Sequence, residues 1–121
     1  MSRENIELPT DECLAYVEDN VAVITLNRPE ARNAMSAGMT QGLERALSFA
    51  ETSPDVRAVV LTGAGGAFCA GGDVRAVRES IINYDGDTNP SLAQEFFYEE
   101  YRLNHQIHTS TKPYIALIDR V

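Results

Sequence analysis

The first sixty residues alternate between short apolar runs and polar turns. Residues 13–18 and 21–26 are rich in strand-forming side chains, and Asp19-Asn20 joins them with residue types that tolerate positive φ. This pattern predicts a β-hairpin. Apolar side chains then recur at helical spacing, which predicts a helix capped by Ser36 that ends near Ser53-Pro54. The apolar positions of that helix are Met39, Leu43, Ala46, Leu47 and Ala50.

The second half of the chain predicts two more strands and two more helices. The first of these strands, at 56–62, has too little polar alternation to face water, so we expect both of its faces to be covered. The resulting order β, β, α, β, α, α, β implies an α/β fold with a largely parallel sheet covered by helices. The predicted elements are a strand at 56–62, a helix from Asp73, a loop over 83–89, a helix from the capping box at 91–94 to about His108, and a strand at 114–118.

Composition and charge narrow the class of protein. With 121 residues, 44% of them hydrophobic, we expect one domain at most. A formal net charge of -8 disfavours binding to nucleic acid. No apolar run approaches the ~20 residues that cross a bilayer, and the N-terminal residues are acidic, so we expect no membrane association and a cytoplasmic location. Cys13 and Cys69 lack the spacing of a zinc site and are expected to be reduced thiols, with no metal bound.

A glycine-rich loop between a predicted strand and a predicted helix carries the clearest chemical signal. Five glycines lie in the ten residues 63–72, where missing side chains let a ligand approach backbone amides. A dinucleotide fingerprint is disfavoured because Phe68 stands at the third glycine position. A phosphate-binding P-loop would need a Gly-Lys pair, and the only lysine is Lys112.

The remaining interpretation is an anion cradle at a helix start. In Ala70-Gly71-Gly72-Asp73 the free N–H groups and the positive end of the helix dipole would favour developing negative charge. Set against a carbonyl, one such N–H is half of an oxyanion hole. For Asp73 itself, helix capping is the favoured role.

Three segments in this order resemble the enoyl-CoA hydratase/isomerase (crotonase) superfamily. They are residues 27–35 (Asn-Arg-Pro-Glu-Ala-Arg-Asn-Ala-Met), 57–63 and 67–74. Residues 99–105 and 112–119 resemble the 3-hydroxyisobutyryl-CoA hydrolase branch, which cleaves an acyl thioester in valine breakdown. The resemblance implies a crotonase-like (ClpP/crotonase) α/β fold of which residues 1–121 are the N-terminal part, with its ββα units incomplete after the strand at about 114–118.

The resemblance also implies an acyl-CoA substrate, no separate cofactor, and homo-oligomers formed through the complete fold. The backbone N–H of Gly72 would be one donor to the thioester carbonyl, with Gly71 and Asp73 beside it. Backbone atoms near Ala34 and Ala70 would line the adenine pocket. Arg28 or Arg32 would lie near the phosphates, although a solvated surface role is equally open for either arginine.

The sequence departs from this family at its end. Arg120 stands where a glycine is expected, and a second oxyanion donor and the downstream glutamate and aspartate are not found, so we expect little or no catalysis from the 121 residues alone. Two alternatives stay open: an enoyl-CoA hydratase or isomerase, and a non-catalytic acyl-CoA-binding fragment. The remaining candidate groups on the third helix are interpreted as surface residues; they are Glu95, Glu99, Glu100, His105 and His108.

Overall fold

A computed structural model describes residues 3–83 and 92–118. They form a five-stranded sheet in the order β1-β2-β3-β4-β5, with β1/β2 and β2/β3 antiparallel and β3/β4 and β4/β5 parallel. The sheet is therefore mixed, and the predicted largely parallel sheet is correct only for its second half. The elements are β1 (Glu4–Ile6), β2 (Cys13–Glu18), β3 (Val21–Leu26), a 3-10 turn (Pro29–Ala31), α1 (Ala37–Thr52), β4 (Ala58–Gly63), α2 (Val74–Ile82), α3 (Leu92–His108) and β5 (Tyr114–Ala116).

The predicted hairpin and first helix are confirmed. Asp19 and Asn20 adopt φ of 54° and 66°, the left-handed pair that a two-residue hairpin turn requires. The Ser36 side chain accepts a hydrogen bond from the Met39 N–H at 3.1 Å and so caps α1. Strand β1 was not predicted, because its residues are mostly polar and it exists through pairing with β2.

The core lies between α1 and one face of the sheet. Alternate residues of β3 and β4 are buried against the helix, as period-two geometry requires. Ala58 and Val60, on the other face of β4, are only half-buried, so within the described residues the expectation that both faces are covered is not met. The buried core comprises Ile6, Cys13, Ala15, Ala22, Ile24, Leu26, Met39, Leu43, Ala46, Leu47, Ala50, Val56, Val59, Leu61 and Leu103.

The C-terminal end of α1 is tied to the connection between α3 and β5. Lys112 Nζ donates to the carbonyls of Ala50 at 2.5 Å and Ser53 at 2.7 Å, which satisfies carbonyls that a helix end leaves unpaired. Glu51 accepts hydrogen bonds from Ser110 and Thr111. These hydrogen bonds fix where β5 joins β4.

Helices α2 and α3 contact each other, and α3 also packs on α1. Both lie near their predicted positions. Most of the predicted loop over 83–89 lies outside the described residues, as does the first residue of the capping box at 91–94. The segment from 119 onward also lies outside them. None of the helices in the described part of the chain is long and apolar enough to span a membrane.

Candidate active site

Two loops meet at the carboxyl ends of β3 and β4. An isolated parallel bridge pairs Met35 with Gly72: the Met35 N–H donates to the Gly71 carbonyl at 2.6 Å, and the Asp73 N–H donates to the Met35 carbonyl at 3.0 Å. In a parallel bridge the N–H and C=O of the middle residue point away from its partner. The Gly72 N–H therefore faces away from the Met35 loop, and no acceptor for it exists among residues 3–83 and 92–118.

Helix α3 lies next to Gly72 on the open side of this segment. A Cβ added to Gly72 would stand 3.6 Å and 3.7 Å from two atoms of the Phe96 ring and 3.9 Å from Glu100 Oε2. Glu99, by comparison, lies 3.9 Å from the Arg102 guanidinium, whereas no ion pair or hydrogen bond within the described residues engages the half-buried Glu100. The sequence interpretation of Glu100 as a solvated surface residue missed this proximity, which no spacing within α3 reveals.

The physical reason for a glycine differs from one position of the loop to another. A Cβ on Gly63 would lie 2.5 Å and 2.6 Å from the carbonyl oxygens of Ala67 and Phe68, so the loop's own backbone excludes a side chain there. Gly71 adopts φ of 100°, a conformation that other residues rarely reach. A Cβ on Gly66, in contrast, would meet nothing within 4 Å. Gly63 and Gly71 are therefore needed for the shape of the loop, whereas Gly72 has room for a Cβ at ordinary contact distance from Phe96.

Asn33 holds the two loops together and was not identified from the sequence. Its side chain is fully buried, and its Nδ2 donates to the carbonyls of Ala64 at 3.0 Å and Ala67 at 2.8 Å. Its Oδ1 accepts the Arg28 N–H at 2.7 Å. With φ of 57°, Asn33 also occupies the left-handed region, which asparagine tolerates better than most residues. That tolerance is the one signal in the sequence that could have marked it.

The two predicted phosphate arginines have different surroundings. Arg28 is 18% exposed, and its guanidinium contacts Glu12 and Asp73 and donates to the Ala34 carbonyl. Arg32 is exposed, and no ion pair engages it within the residues that the structure describes. Groups of the two loops and Glu12 therefore hold the Arg28 guanidinium, whereas Arg32 is exposed to solvent.

The other predicted site residues lie in the same two loops. The Ala70 N–H donates to the Arg32 carbonyl at 3.0 Å, which brings Ala70 beside the loop that holds Ala34. Asp73 Oδ1 accepts the Ala76 N–H at 3.1 Å, so Asp73 caps α2 as predicted. The structure thus gathers every predicted binding residue into one region, although it does not test their roles.

The cysteines and histidines form no metal site within the described residues. Burial raises the pKa of Cys13 to about 12. Burial, with a smaller contribution from Cys13 and Cys69, also raises the pKa of Tyr114 to about 12. Both groups stay protonated at neutral pH. In the described ranges no three His, Cys, Asp or Glu side chains come together as a metal site would require.

The amino-acid sequence is similar to a family model and to several characterised proteins. The family model for enoyl-CoA hydratase/isomerase matches residues 21–121. The chain is 47% identical over 111 residues to the mitochondrial 3-hydroxyisobutyryl-CoA hydrolase of Xenopus tropicalis, covering 91% of this chain and 28% of that protein. It is 38% identical over 109 residues to the human protein of that name, covering 89% of this chain and 27% of that protein. The chain therefore spans little more than a quarter of the length of these relatives.

Solved structures agree with the sequence comparison. A carnitinyl-CoA dehydratase from Mycobacterium thermoresistibile superimposes with a TM-score of 0.80 at 41% identity, covering 90% of this chain and 31% of that one. An enoyl-CoA hydratase/isomerase from Marinobacter aquaeolei gives a TM-score of 0.78 at 32% identity, covering 90% of this chain and 41% of that one. The crotonase-like fold predicted from the sequence is confirmed for the part present. The chain belongs to the enoyl-CoA hydratase/isomerase (crotonase) family.

Proposed function

We propose that the whole protein is an acyl-CoA thioester hydrolase of the 3-hydroxyisobutyryl-CoA hydrolase type. The names of relatives at 38–47% identity support this activity. The observation that carries the proposal is the Gly72 N–H, which has no acceptor among the described residues and faces away from Met35 just before the N-terminus of α2. A thioester carbonyl oxygen is the acceptor that such a donor suits.

In the proposed reaction, water adds to the thioester carbonyl carbon and the carbonyl oxygen gains negative charge. The Gly72 N–H and the positive end of the α2 dipole stabilise that charge. The carbon–sulfur bond then breaks, which leaves the free acid and the thiol of CoA. Coenzyme A is part of the substrate in this proposal, and no separate cofactor takes part. Arg32 and the backbone near Ala34 and Ala70 would contact the nucleotide portion of CoA.

A matched pair of Gly72 variants tests the donor. Gly72→Pro removes the N–H, whereas Gly72→Ala keeps it and adds a methyl group at ordinary contact distance from Phe96. For the whole protein we expect Gly72→Pro to lower kcat for 3-hydroxyisobutyryl-CoA by about 10²–10³-fold, as for other oxyanion donors. We expect Gly72→Ala to retain most of the activity. Equal kcat values for the two folded variants would contradict the assignment of Gly72.

Glu100 suggests how the acyl group is recognised. Its carboxylate lies close enough to Gly72 to contact the same ligand, and it can accept a hydrogen bond from an acyl hydroxyl group. We expect Glu100→Ala to weaken binding of 3-hydroxyisobutyryl-CoA about 10-fold while isobutyryl-CoA binds unchanged. Glu99→Ala, which removes a carboxylate that pairs with Arg102, is the control. Equal losses for both ligands would contradict hydroxyl recognition by Glu100.

A second candidate function is enoyl-CoA hydration or isomerisation. It is favoured by 41% identity to a structure named as a carnitinyl-CoA dehydratase, a protein of different chemistry that matches the same region. Assays of the whole protein for thioester cleavage and for addition of water to an enoyl-CoA separate the two. Thioester cleavage without hydration would support the proposed hydrolase function. Hydration without thioester cleavage would refute that function and support the hydratase.

The proposal places the reaction in valine breakdown. The relatives are named as mitochondrial, and these names do not support the cytoplasmic location expected from the N-terminal residues. Fractionation of cells that express the whole protein would test the location. The homo-oligomer implied by the family resemblance stays a prediction, which sedimentation analysis of the whole protein can check.

A further inference from the structure

Arg28 has more contacts than a surface arginine would make. Its Nε lies 3.0 Å from Glu12 Oε2, and its Nη1 lies 3.3 Å from Asp73 Oδ2. The same Nη1 donates to the Ala34 carbonyl at 2.7 Å. Burying a guanidinium is costly unless its donors are satisfied and its charge is paired. The two carboxylates offset that cost, and the hydrogen bond to the Ala34 carbonyl connects Arg28 directly to the loop that pairs with Gly72.

The Ala34 carbonyl connects Arg28 to Gly72 through two peptide units. In a planar trans peptide the C=O and the N–H point in opposite directions. The unit that joins Ala34 and Met35 accepts from Arg28 at its oxygen, and its N–H donates to the Gly71 carbonyl at 2.6 Å. The next unit, which joins Gly71 and Gly72, accepts that bond and directs the Gly72 N–H the opposite way. A hydrogen-bonded chain thus runs from the guanidinium to the Gly72 N–H.

We propose that Arg28 is a positioning residue that orients and polarises the Gly72 amide through this chain of two peptide units. Hydrogen bonds in series strengthen one another, because a carbonyl that accepts a bond makes the N–H of the same peptide a better donor. A charged donor at the start of the chain gives the largest effect. The inference rests on the proposed function only for the identity of the ligand at Gly72, since the chain exists in the free protein.

The test compares Arg28→Gln and Arg28→Lys by NMR of the ligand-free protein. Loss of the charged donor in Arg28→Gln is expected to move the Gly72 amide proton and the Gly71 carbonyl carbon upfield. Lysine keeps the charge without the planar fork, so Arg28→Lys should give intermediate shifts. The control is Arg102→Gln, which removes an exposed arginine paired with Glu44 and Glu99. Shifts in Arg28→Gln no larger than in the control would overturn the proposal.

A measurement on the unaltered protein covers the case in which Arg28→Gln does not fold. The scalar coupling across the hydrogen bond from Met35 N to the Gly71 carbonyl is expected to exceed that from Val59 N to the Pro113 carbonyl, whose distance is 2.8 Å. An equal or smaller coupling overturns the polarised chain.

Titration with 3-hydroxyisobutyryl-CoA labelled with ¹³C at the thioester carbon separates the two proposals. If no ligand binds while the Gly72 shifts depend on Arg28, the proposed function fails and the positioning role stands. If the ligand binds and its carbonyl shift is the same in Arg28→Gln as in the control, the function stands and the positioning role fails. We expect binding, with a carbonyl carbon less deshielded in Arg28→Gln than in Arg102→Gln.

Discussion

Replacement of Asn33 by alanine is expected to weaken the joint between the two loops of the site. The substitution removes three hydrogen bonds of a fully buried side chain and leaves the Ala64 and Ala67 carbonyls and the Arg28 N–H without that partner. Each bond contributes about 1 kcal/mol net, so the three contribute about 3 kcal/mol. Alanine at φ of 57° adds about 1 kcal/mol, which gives a total loss of about 4 kcal/mol.

Urea unfolding followed by circular dichroism measures this loss. With a slope of about 2 kcal/mol per molar urea, the midpoint of Asn33→Ala should fall by about 2 M. Asn20→Ala is a matched control, because Asn20 has φ of 66° but its side chain makes one exposed hydrogen bond to the part of the chain that the structure describes, to the Asp55 carbonyl at 2.8 Å. The control should lose about half as much stability or less. Equal midpoint shifts in the two variants would refute the role given to the buried amide.

Two further predictions concern the glycine loop and the end of α1. Gly63→Ala should destabilise the protein measurably in thermal unfolding because its Cβ would meet two carbonyl oxygens, whereas Gly66→Ala should change stability by less than about 1 kcal/mol; equal effects would contradict the steric argument. The hydrogen bond from the Thr111 side chain, ahead of those from its backbone and from Ser110, lowers the pKa of Glu51. A lowered pKa stabilises the fold above the ordinary glutamate pKa of about 4.3 and loses that stabilisation as the pH falls through the folded-state pKa. Glu51→Gln should therefore be less stable than the unaltered protein at pH 7, with the gap closing in acid; a gap that is constant with pH would contradict this cause.

Local signals explain why much of the fold could be predicted. The left-handed turn at Asp19-Asn20 and the caps Ser36 and Asp73 each act within a few residues, so residue type and spacing are enough to place them. Strand β1 shows the limit of that reasoning. Its short polar sequence has no strand pattern, and pairing with β2 supplies the hydrogen bonds that define it.

The same distinction between local signals and long-range contacts applies to the candidate site. Glycine content before a predicted helix indicated residues 70–73, and the family resemblance implied Gly72 among them. The partners of Arg28, in contrast, include Asp73, 45 residues away in sequence. The family resemblance implied that Arg28 or Arg32 lies near the phosphates, and that stays a prediction. Residue type alone does not reveal that Glu12 and Asp73 pair with Arg28. The approach of Glu100 to Gly72 depends likewise on how α3 packs, which no periodicity within α3 specifies.

The orientation of the Gly72 amide is tested most directly by a ¹H–¹⁵N titration with 3-hydroxyisobutyryl-CoA. We expect the Gly72 amide proton to move downfield to a plateau, more than the amide protons of Met35 and Asp73, which already donate to backbone carbonyls. A saturated complex in which the Gly72 proton stays at its free position, or moves no more than those two neighbours, would contradict the assignment of this N–H to the thioester oxygen.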